Sequence, residues 1–91
     1  MNFAGKVVLV TGSTTGIGEA CARLFAQSGA AVMVSGRDAA RGRGVIDSIR
    51  AAGGRAEFSA VDLRAVGACE RLVSDTIQSL GGLDVLVNNA G

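Results

Sequence analysis

The sequence has no histidine and no tyrosine, and one lysine, Lys6, among its 91 residues. Without histidine there can be no histidine-ligated metal and no triad built on a histidine base. Charge of one sign is lacking too: nine Lys and Arg stand against eight Asp and Glu, a net of +1. Nothing therefore marks a nucleic-acid or acidic partner. Cysteine is scarce. Cys21 and Cys69 make no metal site, and both fall at helical positions beside apolar neighbours, which predicts small buried thiols. No apolar run reaches the roughly 20 residues that cross a bilayer. The start, Met1-Asn2-Phe3-Ala4-Gly5-Lys6, lacks the basic opening and long apolar stretch of a secretory signal. The expectation is a cytoplasmic chain with no membrane contact and no metal.

Apolar residues make up 48% of the chain. A chain this short is one domain at most and buries only about 60–65% of its unfolded surface. So much apolar content in so small a chain predicts elements covered on more than one side. There are no repeats, linkers or low-complexity segments.

Two periodicities alternate along the chain. Lys6 to Thr11 is a short apolar run. From Gly16 to Ser28 the residues Ile17, Ala20, Cys21, Leu24 and Phe25 follow helical spacing, and Ser28-Gly29 stops that helix. Ala31 to Ser35 reads as a second strand. Asp38 is a good N-cap for a helix to about Ala52, weakened in its first half by Gly42 and Gly44. Arg55 to Val61 is a third strand, Val66 to Leu80 a third helix, and Leu83 to Asn88 a fourth strand. Apolar strands separated by helices predict a parallel sheet with helices on both faces and right-handed crossovers. By analogy with doubly wound folds the order is 3-2-1-4, with a crevice at the C-terminal ends of strands one and four.

The segment Thr11-Gly12-Ser13-Thr14-Thr15-Gly16-Ile17-Gly18 lies between the first strand and first helix. A glycine-rich turn at that point is a phosphate-binding device, because the first helical N–H groups have no partner in the helix and the helix dipole favours an anion there. Gly12, Gly16 and Gly18 let the backbone turn tightly and approach a pyrophosphate closely. Ser13, Thr14 and Thr15 place hydroxyls and amides within reach of it, although loop residues of this kind are also ordinary surface polars.

The spacing G-x-x-x-G-x-G differs from the common G-x-G-x-x-G fingerprint. With Thr11 before it, Asp62-Leu63 after the third strand and Asn88-Asn89-Ala90-Gly91 after the fourth, the chain resembles the short-chain dehydrogenase/reductase family, in its N-terminal part only. The resemblance implies a Rossmann-like doubly wound α/β fold, partial here with about four strands, and residues 1–91 as the N-terminal part of a dinucleotide-binding domain. It implies cofactor contacts from the glycine loop, from Asp62 to the adenine amino group, from the Leu63 amide, and from Asn89, Ala90 and Gly91 near the ribose. Asn88 and Thr11 would be architectural, with Thr11 bridging strands one and four. Asp62 could also cap the third helix.

The family's acidic position at the end of strand two falls on Gly36, which cannot bind a ribose hydroxyl. Arg37 comes next, and its guanidinium fork suits a 2′-phosphate. This favours NADP over NAD. Asp38 is either a displaced ribose ligand or, as above, a helix cap. The family's catalytic Ser and Tyr-x-x-x-Lys lie C-terminal to the N-N-A-G segment, so no catalytic residue is expected here. The resemblance thus implies a fragment of a homo-oligomeric oxidoreductase that moves hydride between an alcohol and a carbonyl. A non-catalytic nucleotide-binding or scaffold module is the alternative. A flavin or sugar-nucleotide protein of similar topology is disfavoured by Asn88-Asn89-Ala90-Gly91.

Overall fold

The computed structural model describes residues 2–89. Four parallel strands lie in the order β3-β2-β1-β4, as expected from the alternating pattern. β1 (Val7–Val10) pairs with β2 (Ala31–Gly36) on one side and with β4 (Val85–Val87) on the other, and β3 (Arg55–Ala60) pairs with β2. All four residues of β1 are buried, which is why it reads as an unbroken apolar run rather than an alternating one.

Two cores flank the sheet. Val8, Val10, Val32 and Val34 point to one face and meet α1 (Gly16–Gln27) and α2 (Ala39–Ala51) through Ala22, Ala26, Val45, Ile46 and Ile49. Val7, Leu9, Ala31 and Met33 point to the other and meet α3 (Ala68–Leu80) through Leu72 and Leu80. The period of two along each strand thus feeds helices on both sides.

Side chains lock β1 to β4 at both ends. Near the start, Asp84 Oδ2 accepts from the Val7 amide at 2.8 Å, and the Asp84 amide donates to the Val7 carbonyl at 2.9 Å. At the C-terminal end the Thr11 amide donates to the Val87 carbonyl at 3.0 Å. The Thr11 hydroxyl accepts from the Asn89 amide at 2.8 Å and shares its proton between Asn88 Oδ1 (3.2 Å) and the Val87 carbonyl (3.3 Å). Thr11 is therefore the bridge between strands one and four that the sequence predicts.

Two expectations need correction. Asp62 does not cap the third helix: α3 begins at Ala68 with Gly67 as its N-cap, so Val66 lies outside it and is fully exposed. The cause is local, since the Asp62 carbonyl and carboxylate take the Ala65 and Arg64 amides and fold residues 62–65 into a turn first. The cysteines are not both buried either. Cys21 is half-buried against the α1 side of the core, but Cys69 faces solvent in the first turn of α3.

Candidate functional site

The site is built from the C-terminal ends of β1, β2 and β3. After β1 the chain reverses through Gly12 and Gly16, both in the left-handed region at φ 60° and 58°, where a side chain would be strained. α1 then starts behind Thr15, an extended N-cap residue whose hydroxyl makes no capping bond. Among the described residues no side chain accepts from the first amides of the helix. Gly18 has a packing reason. A Cβ there would fall on the Gly12 carbonyl oxygen and 2.6 Å from Asn89 Nδ2. Asn89 in turn donates from Nδ2 to that carbonyl at 3.3 Å, so the end of β4 fixes the glycine turn from the far side.

Ser13 is placed differently from the loop polars around it. It is fully buried. Its hydroxyl donates to the Val10 carbonyl at 2.7 Å and accepts from the Ser35 amide at 2.8 Å, while its own amide donates to the Ser35 carbonyl at 2.8 Å. Its polar groups are used in extending the β1–β2 ladder into the loop, so Ser13 shapes the turn and is not turned toward a ligand. Thr14 is half-buried with its side chain against Gly36, and Thr15 is exposed.

An open cleft of about 440 Å³ lies above the sheet, lined by Gly12, Thr14, Thr15, Ser35, Gly36, Arg37, Val61, Asp62, Leu63 and Arg64. The glycine loop, the end of β2 and the Asp62-Leu63 pair thus meet in one place. A shallower extension runs past Thr14 and Arg37 to Asp38, Ala39 and Arg41 at the start of α2. Asp38 is engaged there as a cap: its carboxylate accepts from the Arg41 amide at 3.1 Å and lies 3.7 Å from the Arg41 guanidinium. Gly16, Ile17 and Gly18 open α1 beside the cleft, with Ile17 exposed. The candidates Ala90 and Gly91 lie outside the described residues.

Gly36 is flanked tightly. A Cβ at that position would lie 2.8 Å from Thr14 Cγ2 and 2.9 Å from Thr14 Oγ1. A side chain at the end of β2 would require Thr14 to shift. Arg37 is exposed, and its guanidinium makes no hydrogen bond or ion pair with the described residues.

Arg64 is the member of the site that sequence reasoning passed over. Its Nε donates to Asp62 Oδ1 at 3.0 Å and its Nη2 to Oδ2 at 2.9 Å, a two-pronged pairing, while its backbone amide adds a third bond to Oδ1 at 3.0 Å. Those bonds hold the Asp62 carboxyl at a pKa of about 2, below its ordinary 3.8. The nearby charge of Arg37 is the smallest contribution to that lowering. The available signal was the two-residue spacing Asp62-x-Arg64, which an Asp-headed turn brings together. Among the described residues no group of His, Cys, Asp and Glu could hold a metal, and no helix is long and apolar enough to cross a membrane.

Strand order, glycine turn and cleft together define a doubly wound, nucleotide-binding α/β protein. Comparison with known proteins supplies the particular family. The profile of the short chain dehydrogenase family matches residues 6–91, and the chain belongs to that family. It is 42% identical over 91 residues to an uncharacterised oxidoreductase of Thermotoga maritima, covering all of this chain and 36% of that protein. A metagenomic short-chain oxidoreductase in complex with NADP is 43% identical with a TM-score of 0.89, over 97% of this chain and 40% of that one. A 7α-hydroxysteroid dehydrogenase complexed with NADH and 7-oxo glycochenodeoxycholic acid is 38% identical with a TM-score of 0.96, over 99% of this chain and 35% of that one. The chain thus spans little more than a third of the length of these relatives. The family binds nicotinamide dinucleotides, and its members divide between the two cofactors.

Proposed function

We propose that this chain is the N-terminal, cofactor-binding part of an NADP-dependent short-chain oxidoreductase that interconverts an alcohol and a carbonyl compound. The observation that carries the cofactor choice is the pairing of Gly36 and Arg37. Thr14 crowds the point where a Cβ at position 36 would lie, and the guanidinium next to it has no hydrogen bond or ion pair among the described residues and lines the cleft. A carboxylate there would accept from a ribose 2′-hydroxyl; a free guanidinium favours a 2′-phosphate.

The donor set fits the group. Gly12, Thr14, Thr15 and the uncapped start of α1 hold the pyrophosphate, Asp62 and Leu63 the adenine, and Arg37 the 2′-phosphate. Asn89 holds the Gly12 carbonyl and steadies the loop. A dinucleotide held here would supply or accept the hydride, while the family's tyrosine–lysine pair has no counterpart among these residues, which contain no tyrosine and one lysine at the foot of β1.

The test is Arg37→Leu in the full-length protein, with fluorescence titration of each cofactor. NADPH binding should weaken by about 1.5–3 kcal/mol, the worth of a charged hydrogen bond, with NADH nearly unchanged. Equal losses for both cofactors would remove the assignment.

A further inference from the structure

Arg37, Asp62 and Arg64 share one cleft, and they are not equivalent. Asp62 lies near enough to Arg37 to feel its charge. A carboxylate beside a free guanidinium would ordinarily capture it. Here Asp62 is already taken. Of the roughly four acceptor positions a carboxylate offers, Arg64 fills three with its fork and its amide. Arg37 has no hydrogen-bond or ion-pair partner among the described residues. The local balance is two guanidiniums against one carboxylate, a net of +1, and the neighbouring Asp38–Arg41 pair adds nothing to it.

We infer that Arg64 is a cofactor-specificity residue acting through Asp62: by neutralising and occupying that carboxylate it keeps Arg37 free for the 2′-phosphate and keeps a bare negative charge out of the same cleft. This rests on the NADP reading above and adds a second residue to it. Arg64 is a positioning residue, since it works by engaging Asp62 rather than by meeting the phosphate. Its 77% exposed side chain buries nothing in the core, so its removal does not threaten the fold. Without it, Asp62 would draw Arg37 across and would also face the incoming phosphate with like charge.

The experiment uses the full-length protein and titrates NADPH and NADH against the wild type, Arg64→Gln, Arg64→Lys and the double variant Arg64→Gln/Asp62→Asn. In Arg64→Gln the preference for NADPH over NADH should fall by about fivefold at low salt, the upper range for a solvent-exposed charge pair. The loss should come from NADPH alone. It should shrink as salt is raised and the screening length drops from about 30 Å at 0.01 M to about 3 Å at 1 M. Arg64→Lys, which keeps the charge, should retain most of the preference. The double variant should recover it, because the carboxylate that Arg64 neutralises is gone. An unchanged preference in Arg64→Gln, or a loss that the double variant does not restore, overturns the inference and leaves the Arg37 assignment standing. No NADPH preference in the wild type overturns both.

Discussion

At the scale of single residues, the site turns on who occupies the end of β2. Thr14 and Gly36 are a matched pair: the threonine side chain comes within 2.8 Å of where a Cβ at position 36 would be. A β-branched side chain has few rotamers to retreat into, so shape as well as sequence disfavours an acid at that position. Gly36→Asp in the full-length protein should therefore lose NADPH affinity by about tenfold, ~1.4 kcal/mol, without gaining tight NADH binding. Adding Thr14→Ala should open the volume and let NADH affinity rise. Tight NADH binding by Gly36→Asp alone, in the same titration, would show that Thr14 is not the obstacle. Such couplings explain which parts of the site were legible. Gly36 and Arg37 could be read from order alone because a strand's end fixes the position of both. The inward turn of Ser13 could not, since a loop serine looks the same whether its hydroxyl meets solvent or, as here, the Val10 carbonyl. The pairing of Arg64 with Asp62 shows in the sequence only as the two-residue spacing of an Asp-headed turn.

At the scale of elements, the two glycines of α2 look alike in the sequence and are opposite in the structure. A Cβ on Gly42 would run into the Phe58 ring on β3, whereas one on Gly44 would meet nothing within 4 Å. Gly42 is what lets α2 lie close on β3; Gly44 is only a weak spot in a helix. Gly44→Ala should stabilise the protein by about 0.5–1 kcal/mol, the difference in helix propensity and unfolded-chain entropy. Gly42→Ala should cost roughly 1–3 kcal/mol through overpacking, more than its propensity gain returns. Urea denaturation of both variants separates the two, and a stabilised Gly42→Ala would mean that Phe58 moves aside freely. The elements themselves were legible because each strand is a short apolar run and each helix an amphipathic one, and Asp38 caps α2 through the Arg41 amide as its position predicts. The start of α3 lies two residues beyond the point where the apolar period begins, because Val66 fits that period although nothing packs on it.

At the scale of the whole molecule, the sheet order puts β4 at one end, with β1 as its sole partner among the described residues. β4 carries Leu86 at 53% exposure, and Ile77 of α3 is 48% exposed. An apolar strand at a sheet edge, unprotected by charge or proline, is a surface that pairs with whatever offers a strand. The 91 residues also hold no tyrosine, and Lys6 precedes β1, at the end of the sheet away from the cleft. Expressed alone, Met1–Gly91 should show no change in NADPH absorbance with aldehydes, ketones or alcohols, under conditions where the full-length protein turns over. It should also self-associate in sedimentation, through the open side of β4. Charge placed on that face, as in Leu86→Lys, should reduce the association without touching the cleft, because Leu86 shares its register with Leu9 and not with the loop beyond Val10. Turnover by the purified 91 residues would relocate the chemistry into this part of the chain. A stable monomer with a sharp unfolding transition would instead favour a self-sufficient nucleotide-binding module, since only a sheet that tolerates its open edge could unfold as one cooperative unit.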